Sequence, residues 1–162
     1  MPYAVELVLD PESAATVRRA WRELADAGIG DVAGSGARPH VTLGIWDAID
    51  HTSAEAAVTR FAAETAPVPL TLAPTVTVDL LDLHARFHRR FDRLGQGSWA
   101  HYRQGIWVPH CTLATDMEPD QFAGALAIAG GVPLPLECRL VEVGIVEFRP
   151  VKQVISCALT GR

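Results

Sequence analysis

Pro39-His40-Val41-Thr42-Leu43 returns seventy positions later as Pro109-His110-Cys111-Thr112-Leu113. Each copy carries a side chain that titrates near neutral pH and, two places on, a hydroxyl. Side chains alternate faces along a β-strand, so His40 and Thr42 point one way, about 7 Å apart, while Val41 and Leu43 point the other. Cys111 and Leu113 repeat that alternation around His110 and Thr112. This is the pattern of a half-buried strand with a polar working face. Two such strands predict one active site with one proton donor and one proton acceptor.

The surroundings repeat as well. Each motif is followed by a short turn, an alanine-rich helical stretch and a similar strand opening, Val68-Pro69-Leu70-Thr71-Leu72 and then Val132-Pro133-Leu134-Pro135-Leu136. Each is also preceded by a helix. The first helix opens at Asp10-Pro11-Glu12, an N-cap followed by proline at the first helical position, and runs to about Ala27 before Gly28 stops it. The second is expected from about Asp82 to Leu94, with Leu83, Phe87, Phe91 and Leu94 as its apolar stripe and Gly95 and Gly97 as its stop. The order strand, helix, His-X-Thr strand, helix, strand thus occurs twice. It predicts a duplicated unit, two lobes related by a pseudo-twofold axis.

Residues 1–162 read as one domain, with 49% hydrophobic residues to form its core. No apolar run is long enough for a membrane span, and the N-terminus enters an alternating strand without a basic leader. Three cysteines, Cys111, Cys138 and Cys157, have no metal-like spacing, and their odd number fits a reducing, cytoplasmic setting. Net charge is −5, which argues against a long duplex held through its phosphates. Arg86, Arg89, Arg90, Arg93 and Arg103 form a local basic excess, read as a solvated face that a short phosphorylated ligand can also use. Gly28 to Gly36 is a glycine-rich loop without the lysine of a phosphate-binding P-loop, read as a plain loop or as a rim of the cleft.

A histidine pair at neutral pH supplies a neutral base and a protonated acid. The two threonine hydroxyls supply donors for one anionic oxygen group from opposite sides. That toolkit suits attack at phosphorus with a proton removed on one side and delivered on the other. The paired Pro-His-X-Thr-Leu motifs resemble those of the two-histidine (2H) phosphoesterase superfamily, which includes 2′-5′ RNA ligase-like proteins and cyclic nucleotide phosphodiesterases. Leu83-His84, the run Trp107-Val108-Pro109-His110-Cys111-Thr112-Leu113-Ala114 and the closing Val146-Glu147-Phe148-Arg149-Pro150-Val151 extend the resemblance along the chain.

The resemblance implies an α+β, bilobal fold of two small antiparallel sheets with outer helices around a central cleft. It implies metal-independent action, with no cofactor, on a 2′,3′-cyclic, 1″,2″-cyclic or 2′-5′ phosphodiester of a nucleotide or RNA end. Carried over by motif, His40 and His110 are the acid–base pair and Thr42 and Thr112 the phosphate donors, with His110 activating water and His40 protonating the leaving oxygen. The alternatives are 2′-5′ RNA ligase activity and a nucleotide- or RNA-binding module without turnover. A monomer acting on a small substrate, away from membranes, is expected.

Further contacts follow from position. Alternation puts Trp46 on the face of His40 and Thr42, where it either stacks on a base or belongs to the core. Arg38 flanks the first motif as a phosphate contact or a surface arginine. Tyr102, with Trp99, precedes the second motif as a substrate-facing aromatic, whereas Trp107 reads as core. His84 and His88, one helical turn apart, offer the rival reading of a metal pair.

Overall fold

The computed structural model describes residues 1–30, 32–72, 76–94 and 97–161. The fold is α+β, with β1 (Tyr3–Leu9), α1 (Pro11–Asp26), β2 (His40–Trp46), α2 (His51–Glu64), β3 (Val68–Leu72), α3 (Val78–Phe91), α4 (Phe122–Ala129), β4 (Leu136–Glu147) and β5 (Lys152–Ala158). Asp10 caps α1 as its sequence predicts, its carboxylate accepting from the Glu12 and Ser13 main chain at 3.1 and 3.0 Å. The same carboxylate accepts from the Arg139 main chain at 2.7 Å, which ties the helix start to β4. α3 starts earlier than expected because Thr77 caps it, accepting from Leu80 N at 3.3 Å. Leu83, Phe87 and Phe91 are buried as the stripe requires, but Leu94 is exposed, since a 3₁₀ turn takes the chain out of helical phase after Phe91. Gly95, expected as part of the helix stop, lies outside the described residues.

The strands form one antiparallel sheet where two small ones were expected. β4 is the reason: it is long enough to hold β1 along one edge and both β3 and β5, end to end, along the other. Leu140 faces Leu9 and Val68, whereas Ile145 faces Val5 and Ile155. A second correction concerns the second motif, whose residues lie in an irregular segment and not in a strand. The outer edge of β2 is already occupied: Trp99 N donates to Ile45 O at 2.8 Å, and side chains from α3 and Trp107 take the carbonyls beside it. With that edge covered, no ladder is left there for the second motif to join. Val132 to Pro135 is likewise outside any strand, and β4 begins at Leu136.

The sheet's two faces divide the labour. Val5, Leu7, Val41, Leu43, Val143 and Ile145 are buried on one face with Trp21 and Phe87 in the core. On the other face, pairing aligns three rows across β2, β1 and β4: His40–Val8–Glu142, Thr42–Glu6–Gly144 and Ile45–Ala4–Val146. Rows two residues apart are about 7 Å apart, so this face grades from polar to apolar within the length of one nucleotide. Among the described residues, no helix is long and apolar enough to cross a membrane.

Candidate active site

A β-bulge decides which side chains reach the site. Glu6 pairs with Thr42 but Val5 pairs with Gly44, leaving Leu43 as the extra residue of β2. A bulge inverts the alternation beyond it. His40 and Thr42 stay on the polar face, Ile45 joins them, and Trp46 turns to the core. Trp46 is 2% exposed and packs on Phe91 with ring centroids 5.0 Å apart, so it is a core residue and no base-stacking platform. Gly44 lets the indole fold back: a Cβ there would sit 2.4 Å from the Trp46 ring.

A bulge leaves carbonyls without ladder partners, and buried ones must be satisfied. His84 and His88 each donate Nε2–H to Leu43 O, at 3.1 and 3.0 Å, and Trp107 donates its indole N–H to Thr42 O at 2.9 Å. His84 also stacks on Trp107, with centroids 3.9 Å apart. Burial and the neighbouring His88 hold the His84 pKa down at about 4, so it is a neutral hydrogen-bond donor. Both histidines of the rival metal pair are therefore committed to one backbone carbonyl. Among the described residues no group of three His, Cys, Asp or Glu side chains is placed to hold a metal ion.

Both motif histidines are set the same way. His40 Nδ1 is 2.6 Å from Arg38 O, and His110 Nδ1 is 2.8 Å from Val108 O, each the carbonyl two residues back across the motif proline. A carbonyl only accepts, so Nδ1 carries the proton in each ring and Nε2 remains for a substrate. Proline holds its predecessor extended, which presents that carbonyl to the ring. The threonine carbonyls match too: Trp21 of α1 donates its indole N–H to Thr112 O at 2.9 Å, as Trp107 does to Thr42 O. The motifs also approach each other, the His40 main chain lying beside the Cys111 sulfur. Burial pushes the Cys111 thiol up to about 11, which leaves it protonated and inert.

His40, Thr42 and Thr112 line one cavity of about 540 Å³, within the usual range for a small-molecule site. His110 is exposed, two residues from Thr112, and is not among the lining residues. The glycine-rich loop contributes Val32 and Ser35 to the rim of this cavity, and Ala37 follows just beyond it. Phe148 and Arg149 line the cavity as well, the guanidinium 6.0 Å from the ring centroid.

The sequence matches the family model described as the 2′-5′ RNA ligase superfamily over residues 9–151. The chain belongs to that superfamily. Two solved structures share the fold. A crystal structure of TT0787 of Thermus thermophilus aligns over 100% of both chains with a TM-score of 0.58 and 17% identity. A crystal structure of a phosphoesterase covers 98% of this chain and 97% of its own, with a TM-score of 0.54 and 16% identity. Among curated proteins, none matches this sequence.

Two other expected contacts of this superfamily member change role. Arg38 does not line the cavity; its guanidinium bonds Glu6 Oε1 and Glu142 Oε2, both at 3.0 Å, and lies over Gly144. Tyr102 is outside the lining as well; burial pushes its phenol pKa up, opposed by the Thr42 side chain beside it. Arg86, Arg89, Arg90, Arg93 and Arg103 are exposed and none lines the cavity. Sequence reasoning missed Glu6, although it is the single charge in the apolar run of β1. It also missed Asp116, Phe148 and Arg149 as cavity residues.

Proposed function

We propose that this protein is a metal-independent phosphodiesterase that opens a cyclic phosphate, 2′,3′ or 1″,2″, or cleaves a 2′-5′ linkage, on a nucleotide or RNA end. The observation that carries the reading is the matched setting of the two histidines, each with Nδ1–H on the carbonyl two residues back, beside a cavity lined by both motif threonines. Membership of the superfamily supports a phosphoesterase or ligase-like activity.

Water attacks phosphorus as His110 Nε2 takes its proton. The bond from phosphorus to the ribose oxygen breaks, and His40 Nε2 gives that oxygen a proton. The Thr42 and Thr112 hydroxyls donate to the phosphate oxygens, where charge concentrates. Exposed His110 suits the water side and partly enclosed His40 the leaving side. The apolar row Ile45–Ala4–Val146, with Phe148 beside it, gives a nucleobase a place next to the phosphate.

The test is hydrolysis of 2′,3′-cyclic mononucleotides, ADP-ribose 1″,2″-cyclic phosphate and 2′-5′ dinucleotides in EDTA. The expected result is ring opening or cleavage of at least one of them with no divalent ion. Turnover abolished by chelation and restored by a metal would reject the mechanism, and binding without turnover would leave a nucleotide-binding module.

A further inference from the structure

Glu6 is a carboxylate that the acid–base mechanism does not use, and it is 2% exposed. Burying a carboxylate costs several kcal/mol unless it is paired and hydrogen-bonded. Here the pairing is two-sided. Oε1 accepts from the Arg38 guanidinium at 3.0 Å, and Oε2 lies 3.4 Å from His40 Nδ1. Arg38 also supplies the carbonyl that holds the same nitrogen, so Glu6 anchors the His40 ring directly and through the residue that orients it. Glu142 and the Ser156 hydroxyl hold the other end of the guanidinium, at 3.0 and 3.2 Å. Gly144 makes the arrangement possible, since a Cβ there would lie 3.1 Å from Arg38 Nη2 and 2.8 Å from Ile155 O.

The second motif differs. His110 has its carbonyl partner, Val108 O, but no ion pair joins it to a carboxylate among the described residues. The duplicated motif is therefore unequal behind its rings.

We propose that Glu6 is a positioning residue that makes His40 the proton-donating member of the pair. The inference rests on the phosphodiesterase reading above. A carboxylate behind Nδ1 balances the positive charge that His40 carries before it gives its Nε2 proton to the leaving oxygen. It also fixes the ring edge that must meet that oxygen. His110 takes a proton from water in the open, where solvent balances the charge.

Leaving-group dependence tests this, because an acid matters only when the departing oxygen needs a proton. On a 2′,3′-cyclic nucleotide, Glu6→Gln should lower kcat about 10- to 100-fold, a part of the ~10²–10⁴ that a positioned acid–base group supplies, with KM nearly unchanged. On a nucleoside 3′-(p-nitrophenyl phosphate), whose leaving group departs unprotonated, the Glu6→Gln and His40→Ala losses should both shrink at least tenfold, while that of His110→Ala should persist. Glu6→Gln should cost nothing further in a His40→Ala background. A loss equal on both substrates, or additive with His40→Ala, would make Glu6 merely structural and overturn the proposal. So would an active wild type whose Glu6→Gln variant keeps full kcat. An inactive wild type would instead reject the phosphodiesterase reading.

A measurement on the unmodified protein guards against a variant that fails to fold. ¹⁵N-resolved proton NMR should show an exchange-protected imidazole Nδ1–H from His40 and none from His110. The reverse pattern, or protection of both rings alike, would contradict the proposal.

Discussion

His40 and His110 occupy the same place in the same motif, yet one stands in a sheet and the other on an irregular segment. The first motif is on β2, with its carbonyls gripped by α3 and Trp107 and its ring backed by Glu6. The second has one indole brace, from Trp21, and an exposed ring. What the copies share is a local proline and a carbonyl two residues back, together with one long-range brace, a tryptophan on the threonine carbonyl. What separates them is tertiary. The braces also cross, since the helix before the first motif holds the second, and the helix before the second motif holds the first. The repeated motif thus keeps one setting for its histidine ring while the backbones beneath the two copies differ.

The largest effect should come from the histidines. His40→Ala and His110→Ala should each lower kcat on a cyclic phosphodiester by about 10²–10⁴, and the double variant should lose little more, because the pair acts as a unit. Steady-state kinetics reads this directly; a His110→Ala variant with near-normal turnover would break the equivalence of the motifs.

Next comes an acid sensitivity that His84, behind the first motif, contributes. The His84 pKa is about 4 in the folded protein against an ordinary 6.5, so between those values the unfolded chain binds the extra proton. Stability is therefore full above pH 6.5 and falls as pH drops towards 4, by up to about 3 kcal/mol. Urea melts at pH 7, 5 and 4 should show that slope. His84→Gln, which keeps a donor but takes no proton, should flatten it.

The tryptophan braces sharpen the comparison further. Trp107→Phe and Trp21→Phe each strand a threonine carbonyl, at a cost of about 1–3 kcal/mol in denaturant melts. Trp107→Phe should cost more, since it also trims the ring surface stacked on His84. The smallest effects belong to the hydroxyls. Thr42→Ala and Thr112→Ala should each lower kcat about tenfold, the worth of one hydrogen bond to a charged group. A larger loss at Thr42 would show that the neighbouring Tyr102 matters as well.

Much of this was legible from residue types alone. Asp10-Pro11 marked the start of α1, the apolar stripe of α3 marked its buried face, and the doubled motif marked three residues of one cavity, His40, Thr42 and Thr112. The bulge at Leu43 was not, because its one hint in His40–Trp46 is Gly44, and a glycine in a strand does not say where pairing with β1 slips by a residue. That one extra residue moved Trp46 from cleft to core. The second motif reads as a strand for a similar reason: alternation describes side chains, whereas a strand needs a partner edge, and the edge of β2 is filled by side-chain donors. Arg38 reads as a phosphate contact or a surface arginine because its two carboxylate partners lie far away in sequence, at Glu6 and Glu142.

The central claim is that two unequally supported motifs converge on one phosphate. A crystal structure with a bound nucleoside 2′-monophosphate tests it most directly. The account predicts the phosphate in the cavity, with His40 Nε2, His110 Nε2 and the Thr42 and Thr112 hydroxyls all at about 3 Å from its oxygens, as hydrogen bonds require. A phosphate held by the first motif alone, with His110 turned away into solvent, would contradict it.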